Sequence, residues 1–227
     1  MKRIILFGAL ICSLLSFVSS SAQAEDWTFY KEVKGVKVWE KKTPGSSVFV
    51  FKGIKTMKLP IGKIVAAIES EDTEQKKRWI DMLIEIKLLE REQPGNVQYH
   101  VYDFPWPVSD RDLVLKYQKS FDPSGPVVMM SLKSVEHKLA PEAETVGVRG
   151  SADLVYTLKM IDQNTTEVTA EATADPKGSV PKWIVNLINR GWPSNTLAAL
   201  EEEVIKSNIK EDKETGEHIQ KFLNLAH

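Results

Sequence analysis

The order of apolar and polar positions divides this chain into stretches of different period. In Ser179–Lys210 the period is helical: Val180, Ile184, Leu187, Ile188 and Gly191 fall on one side. Leu197, Leu200, Val204 and Ile205 resume that stripe, while Glu201, Glu202, Glu203 and Lys206 mark a wet side. Asp175-Pro176 ends the preceding segment, Ser179 is the expected N-cap and Pro181 sits in the first turn. Gly191-Trp192-Pro193 predicts a kink or break, because proline donates no N–H and crowds the preceding turn. A helix this long and this one-sided needs a large apolar surface to bury its stripe.

Upstream, strand patterns dominate. Trp27–Tyr30 reads as a short helix or edge, and Val36–Trp39 and Ser47–Thr56 as strands separated by Pro44-Gly45. Pro60 opens a helix with Ile61, Ile64, Val65 and Ile68 on one face, and Thr73 can cap a second around Trp79 and Ile80. Ile84–Glu92, Val97–Phe104, Asp112–Phe121, Val127–Val135, Val146–Ile161 and Thr166–Ala174 then follow as strands, mostly with tight turns between them. Consecutive strands joined this way form an antiparallel meander, not parallel βαβ units. The expected fold class is α+β, a curved antiparallel sheet wrapped around the long C-terminal helix.

Face parity sharpens the picture. Val148, Gly150, Ala152, Leu154, Tyr156, Leu158 and Met160 share one face of their strand, and Val168, Ala170, Ala172 and Ala174 share one face of the next. The small residues either let the helix approach closely or leave a cavity. On Asp112–Phe121, Leu113, Leu115, Tyr117 and Phe121 share a face that Arg111 extends. A guanidinium aimed at an apolar interior needs a carboxylate, carbonyls or an anionic ligand. The alternative is an arginine that snorkels to water or pairs with Asp110 or Asp112.

The first residues have a different character. Lys2 and Arg3 precede an apolar run from Ile4 to Val18, and Ala22-Gln23-Ala24 supplies small residues for cleavage. Residues 1–24 are therefore read as a signal peptide and the mature chain as exported, with an uncleaved anchor as the alternative. The single cysteine, Cys12, lies inside that segment, which removes disulfides, Cys–zinc sites and cysteine catalysis from the mature chain. Without Lys2 and Arg3, 28 of the 30 basic residues face 31 acidic ones, and no polybasic tract remains. That argues against nucleic acid and against strong electrostatic docking on anionic lipid. Residues 25–210 are expected to form one domain, and 211–227 a polar tail that packs loosely or frays, although it carries Phe222, Leu223 and Leu225.

Catalytic and metal signatures are sparse. There is no Gly-x-Ser-x-Gly elbow, phosphate-cradling glycine loop or His-Glu-x-x-His, and His100, His137, His218 and His227 lack metal-ligand spacing. No cofactor or metal is expected. His100, between Tyr99 and Tyr102, could act as a base beside a bound ring, or be a satisfied strand histidine. Asp110 and Asp112 read as partners of the turn and of Arg111, and Asn164-Thr165-Thr166 as a glycosylation acceptor or a plain hairpin turn. Trp106 and Trp192, each beside proline, are candidate membrane-interface anchors, whereas Trp39, Trp79 and Trp183 suit core packing.

Two motifs are familiar together. Tyr102–Asp112, YDFPWPVSDRD, and Asp175–Asn186, DPKGSVPKWIVN, resemble the START (StAR-related lipid transfer) family, with matching element order from about Trp27 to Lys210. The resemblance implies a helix-grip fold with a tunnel between sheet and C-terminal helix that holds one lipid or sterol. It favours an inward Arg111, and it places the Pro105–Asp110 loop, with Trp106 and Val108, and the helix start up to Trp192 at the cavity mouth. The expected ligand contacts are Arg111 as polar anchor, Tyr99 and Tyr117 on the wall, and Ile184, Leu187 and Ile188 on the helix. The parity of Tyr99 leaves open that it faces outward. The expected function is binding, and carriage between membranes, of a hydrophobic ligand in a bacterial periplasm, with transient membrane contact. The alternatives are an enzyme of the related polyketide cyclase and aromatase type, or an interaction module with a filled core. The alanines of Ala170–Ala174 speak against a filled core.

Overall fold

A computed structural model describes residues 27–42, 49–92, 94–104, 106, 108–142 and 147–223. The expected signal peptide, the Pro44-Gly45 turn and two prolines of the Pro-Trp-Pro loop lie outside these residues. Ten strands form one sheet: β1 (Thr28–Val33), β2 (Val36–Lys42), β3 (Phe49–Met57), β4 (Leu83–Glu92), β5 (Gly95–Tyr102), β6 (Arg111–Phe121), β7 (Val127–Ser134), β8 (Val148–Arg149), β9 (Ser151–Asp162) and β10 (Thr165–Asp175). The helices are α1 (Ile61–Glu69), α2 (Thr73–Lys77), α3 (Lys182–Lys206) and α4 (Lys213–Leu223).

The strand order is β1-β2-β3-β10-β9-β7-β6-β5-β4, antiparallel throughout, with β8 pairing parallel to the start of β6. Strands β4 to β7 form the expected meander, and β9 and β10 close it against β3. Helices α1 and α2 carry the chain from β3 to the far edge at β4.

Several local expectations are corrected. Of the two readings of Trp27–Tyr30 the edge holds, as the start of strand β1, and the short helix falls away. The stretch expected as one strand from Val146 is divided at Gly150 into β8 and β9 as the chain changes partner from β6 to β7. Asp72, not Thr73, caps α2 by accepting from the Gln75 N–H at 3.1 Å. The Thr73 hydroxyl instead bonds the backbone of Ile86, and Trp79 and Ile80 follow the helix. Helix α3 begins after Pro181 with no side-chain cap, and it runs unbroken through Pro193.

The core explains why α3 tolerates that proline. Leu197, Leu200 and Val204 are buried against the sheet, and Pro193 packs on Gly53 of β3. A Cβ added at Gly53 would lie 2.7 Å from the Pro193 Cβ, so the missing side chain lets helix and strand approach this closely. The N-terminal half of α3 is seated differently. Val185 is buried and Ile184 half-buried, but Trp183 and Leu187 are 69% and 62% exposed, which overturns core packing for Trp183.

The expected loose tail is instead helix α4, capped by Asp212, which accepts from the Thr215 N–H at 2.8 Å. Ile219 joins the main core, and the ring of His218 lies 4.7 Å from that of Phe121. Lys119 ties Glu69 at the end of α1 to Asp212 and Glu214 at the start of α4.

Candidate functional site: an apolar cavity with a polar corner

Beneath the exposed half of α3 a cavity of about 330 Å³ opens between helix and sheet, bordered where Asn186 accepts from the Phe49 N–H and Asn189 donates to the Ala174 carbonyl. Its size follows from the side chains. Ala172 and Ala174 on β10 and Ala152 on β9 line it with short side chains, so of the two outcomes that face parity left open, close approach or a cavity, this end of the helix takes the second. Leu154 and Tyr156 on β9, Leu113 and Leu115 on β6, and Leu132 on β7 continue the wall. Val185, Leu187, Ile188 and Trp192 form the helical side, with the Trp192 ring packed at a tilt on Tyr156, 6.3 Å between centroids.

The expected contact residues divide. Arg111, Tyr117, Leu187, Ile188 and Trp192 line the cavity; Ile184 does not. Tyr99 lies on the opposite face of the sheet, because β5 turns its even positions inward and its odd positions outward. There Tyr99 donates to Asp112 at 2.9 Å, and burial, with the Asp112 carboxylate beside it, pushes its phenol up to about 12. Asp112 is also held by Arg149 through two bonds of 2.7 and 2.8 Å, so it serves this outer network and not Arg111. Val108 is buried but does not line the cavity, and Trp106 stands 93% exposed beyond it.

Arg111 reaches the cavity as expected, yet carbonyls take most of its hydrogens. Its Nε donates to the Pro176 carbonyl at 2.7 Å, Nη2 to that of Lys177 at 3.4 Å, and Nη1 to the carbonyls of Ser109 and Asp110 and the Ser109 hydroxyl. Burial lowers its pKa, with nearby Asp110 opposing that shift. The guanidinium thus clamps the loop before β6 to the turn before α3, the two segments that flank the mouth.

The polar corner was not anticipated. Gln98, His100 and Tyr102 share the inward face of β5, next to Tyr117 of β6. His100 bonds the Tyr102 hydroxyl at 3.1 Å and the Gln98 Oε1 at 3.0 Å. Behind them Lys76 of α2, fully buried, donates to the Tyr117 phenol at 3.0 Å and approaches Gln98 Oε1 at 3.5 Å. Burial lowers the Lys76 amine from 10.5 to about 7, against the attraction of Glu71 and Glu69. Burial and then Lys76 hold His100 well below its usual range, and burial raises Tyr102 and Tyr117. The alternation Gln98-x-His100-x-Tyr102 was visible in the sequence. Lys76 was not, since nothing sets it apart from its charged neighbours in Gln75-Lys76-Lys77-Arg78.

Among the described residues no cluster of His, Cys, Asp or Glu could hold a metal ion, and no helix is long and apolar enough to cross a membrane. Both ring nitrogens of His100 are held by neutral partners, the Tyr102 hydroxyl and Gln98 Oε1.

A sheet gripping one long helix around an apolar chamber defines the helix-grip class of ligand-holding domains. The START domain family profile matches residues 16–193, and the chain belongs to that family. It is 32% identical over 200 residues to an uncharacterized protein of Pseudomonas aeruginosa, covering 87% of this chain and 96% of the other. It is 25% identical over 180 residues to the mitochondrial StAR-related lipid transfer protein 7 of Mus musculus, covering 77% of this chain but 48% of that protein. The chain thus spans about half the length of this mouse relative. Among solved structures, the STAR-related lipid transfer protein of Xanthomonas axonopodis (fragment 25–204) superposes with a TM-score of 0.70 at 26% identity, covering 79% and 98% of the two chains. Human StAR-related lipid transfer protein 5 gives 0.71 at 16% identity, covering 82% and 89%, a likeness of fold alone.

Proposed function

We propose that this protein is a carrier that binds one hydrophobic, lipid- or sterol-like molecule in the cavity under α3 and moves it between membranes of the bacterial periplasm. The observation that carries the reading is the cavity itself: about 330 Å³ with mostly apolar walls, kept open by alanines where larger side chains would have filled it. Apolar burial supplies binding at roughly 25 cal/mol per Å², and the few polar groups orient the ligand. Export rests on the N-terminal pattern of Lys2-Arg3, an apolar run and Ala22-Gln23-Ala24. Exchange requires the mouth to open, and the Arg111 clamp between the Ser109–Asp110 and Pro176–Lys177 segments is the element that has to yield. Exposed Trp106, Trp183 and Leu187 give that end of the molecule an apolar surface for brief membrane contact.

Native mass spectrometry of the mature protein purified from its own host, followed by organic extraction, tests this directly. A stoichiometric lipid or sterol supports the carrier. A protein that arrives empty and takes up no hydrophobic probe refutes it. A ligand recovered chemically altered replaces it with the enzymatic reading, and His100 is then the first residue to substitute.

A further inference from the structure

The carrier reading leaves the chemistry of the ligand's head open, and the polar corner speaks to it. The hydrogen-bond directions there follow from a few donors and acceptors. In its protonated form Lys76 Nζ can only donate, so the side of Gln98 that it approaches is the carbonyl Oε1. His100 Nε2 lies 3.0 Å from that same oxygen and therefore carries the ring hydrogen, which leaves Nδ1 to accept from Tyr102. With Nε2 protonated, the Tyr117 hydroxyl, 3.4 Å away, cannot donate to it. Tyr117 oxygen instead accepts from Lys76, and its own hydrogen has no acceptor among the described residues. Tyr117 lines the cavity, so that hydrogen is available to a ligand. The Gln98 Nε2 donor is likewise buried without a partner.

Charge points the same way. Lys76 is fully buried, and no carboxylate lies within ion-pair distance of it among the described residues. The nearest attractions noted for it, Glu69 and Glu71, are occupied by Lys119 and by Arg91. A buried cation without a counter-ion is costly, and an anion arriving beside it relieves that cost. At about 330 Å³ the cavity lies at the small end of ligand pockets, which run from about 300 to 1,000 Å³, and this suits a single-chain amphiphile with a compact head.

Resting on the carrier reading, we propose that this corner, through Tyr117 backed by Lys76, selects a single-chain amphiphile with a compact acidic oxygen head, a carboxylate, and rejects a cationic head. The Tyr117 hydroxyl donates to the head oxygen, the Lys76 donation to Tyr117 strengthens that bond, and the ammonium balances the charge.

The test uses three probes with the same chain, laurate, dodecanol and dodecyltrimethylammonium, titrated into the mature protein and its Lys76→Met variant by calorimetry. Wild type is expected to bind laurate about tenfold or more tighter than dodecanol, the size of one charge-assisted hydrogen bond, and the cation weakest of all. At pH 8, where most of Lys76 is neutral, laurate binding should take up a proton, read from the dependence of heat on buffer ionisation. In Lys76→Met, which removes a buried charge and is expected to fold, both the preference and the uptake disappear while dodecanol still binds. Uptake that persists in the variant assigns the proton to His100 or to the ligand and overturns the role of Lys76. Equal affinity of wild type for all three probes overturns the selectivity and leaves the carrier standing. Failure of every probe, dodecanol included, counts against both.

Discussion

Replacing Gly53 with alanine adds one methyl group at the point where α3 is seated on β3. That methyl carbon would stand 2.7 Å from the Pro193 Cβ, 3.1 Å from Val36 Cγ1 and 3.2 Å from Leu197 Cδ1. Carbon atoms prefer about 3.5–4.0 Å, so the contact with Pro193 is about 0.8 Å too short. The Pro193 Cβ is fixed in a ring within a helix, and it cannot rotate away. Overpacking of this kind costs about 1–3 kcal/mol, and reduced freedom of the unfolded chain returns about 0.4–1 kcal/mol. The net expectation is a loss of about 1–2 kcal/mol, or a midpoint about 2–8 °C lower for a chain of this size. Gly216→Ala is the matched control. It adds the same group inside α4, where nothing lies within 4 Å, and helix propensity should raise stability by up to about 1 kcal/mol. Urea unfolding of the two variants reads the opposite signs. Gly53→Ala as stable as wild type would refute the argument that this glycine sets the seat of α3.

Lys76→Met should stabilise the protein near neutral pH. The amine titrates at 10.5 when free and at about 7 in the fold, so it costs nothing above 10.5, where both states are neutral. As pH falls the unfolded chain gains a proton that the fold resists, and the penalty is complete below 7, at roughly 5 kcal/mol at most. Unfolding of wild type and variant at pH 7 and pH 10 should show the gap narrowing at the higher pH; a constant gap contradicts a titrating Lys76. Arg111→Met removes the donors shared by Ser109, Asp110, Pro176 and Lys177, and stopped-flow release of a fluorescent fatty probe should accelerate several-fold, as for one or two lost hydrogen bonds. An unchanged release rate removes the clamp from the gate. Asp112→Ala leaves Arg149 and Tyr99 without their shared partner and should lower stability by about 3–5 kcal/mol in the same unfolding assay; a loss below 1 kcal/mol would show that water replaces the carboxylate.

What the sequence disclosed depended on periodicity. Strands with one buried face announce themselves by alternation, so the meander, the shared face of the β10 alanines and that of Tyr117 were readable before any coordinates, whereas alternation left Arg111 open and only the family resemblance favoured its inward course. Single positions near irregular backbone were not. Tyr99 was ambiguous because β5 is buried on both faces with the usual polarity reversed: Val97 and Val101 join it in an apolar outer cluster, while Gln98, His100 and Tyr102 face inward. Helix α4 was hidden because its apolar residues, Ile219, Phe222 and Leu223, are few and its burial depends on α1 and Lys119. Lys76 was hidden for the opposite reason. A lysine among charged residues reads as solvated, and only the packing of α2 across Gln98 and Tyr117 encloses it.

The two halves of α3 divide anchoring from access. Beyond Pro193 the helix is held by Leu197, Leu200 and Val204 in the core, and by Glu203, which takes two bonds of 2.8 Å from Arg78. Before Pro193 it covers the cavity with Leu187 and Ile188, and its outer side is exposed. Pro193 marks the junction, where its missing N–H leaves the helix one backbone bond short. Movement of the N-terminal half parts the Asn186–Phe49, Asn189–Ala174 and Arg190–Glu40 bonds, while movement of the other half opens the core. The same junction is where Gly53 sets the helix closest to the sheet, so the strongest seat and the weakest backbone link lie side by side. An opening that pivots there releases the Arg111 clamp first and exposes the cavity before it disturbs the polar corner, which is anchored in β5, β6 and α2.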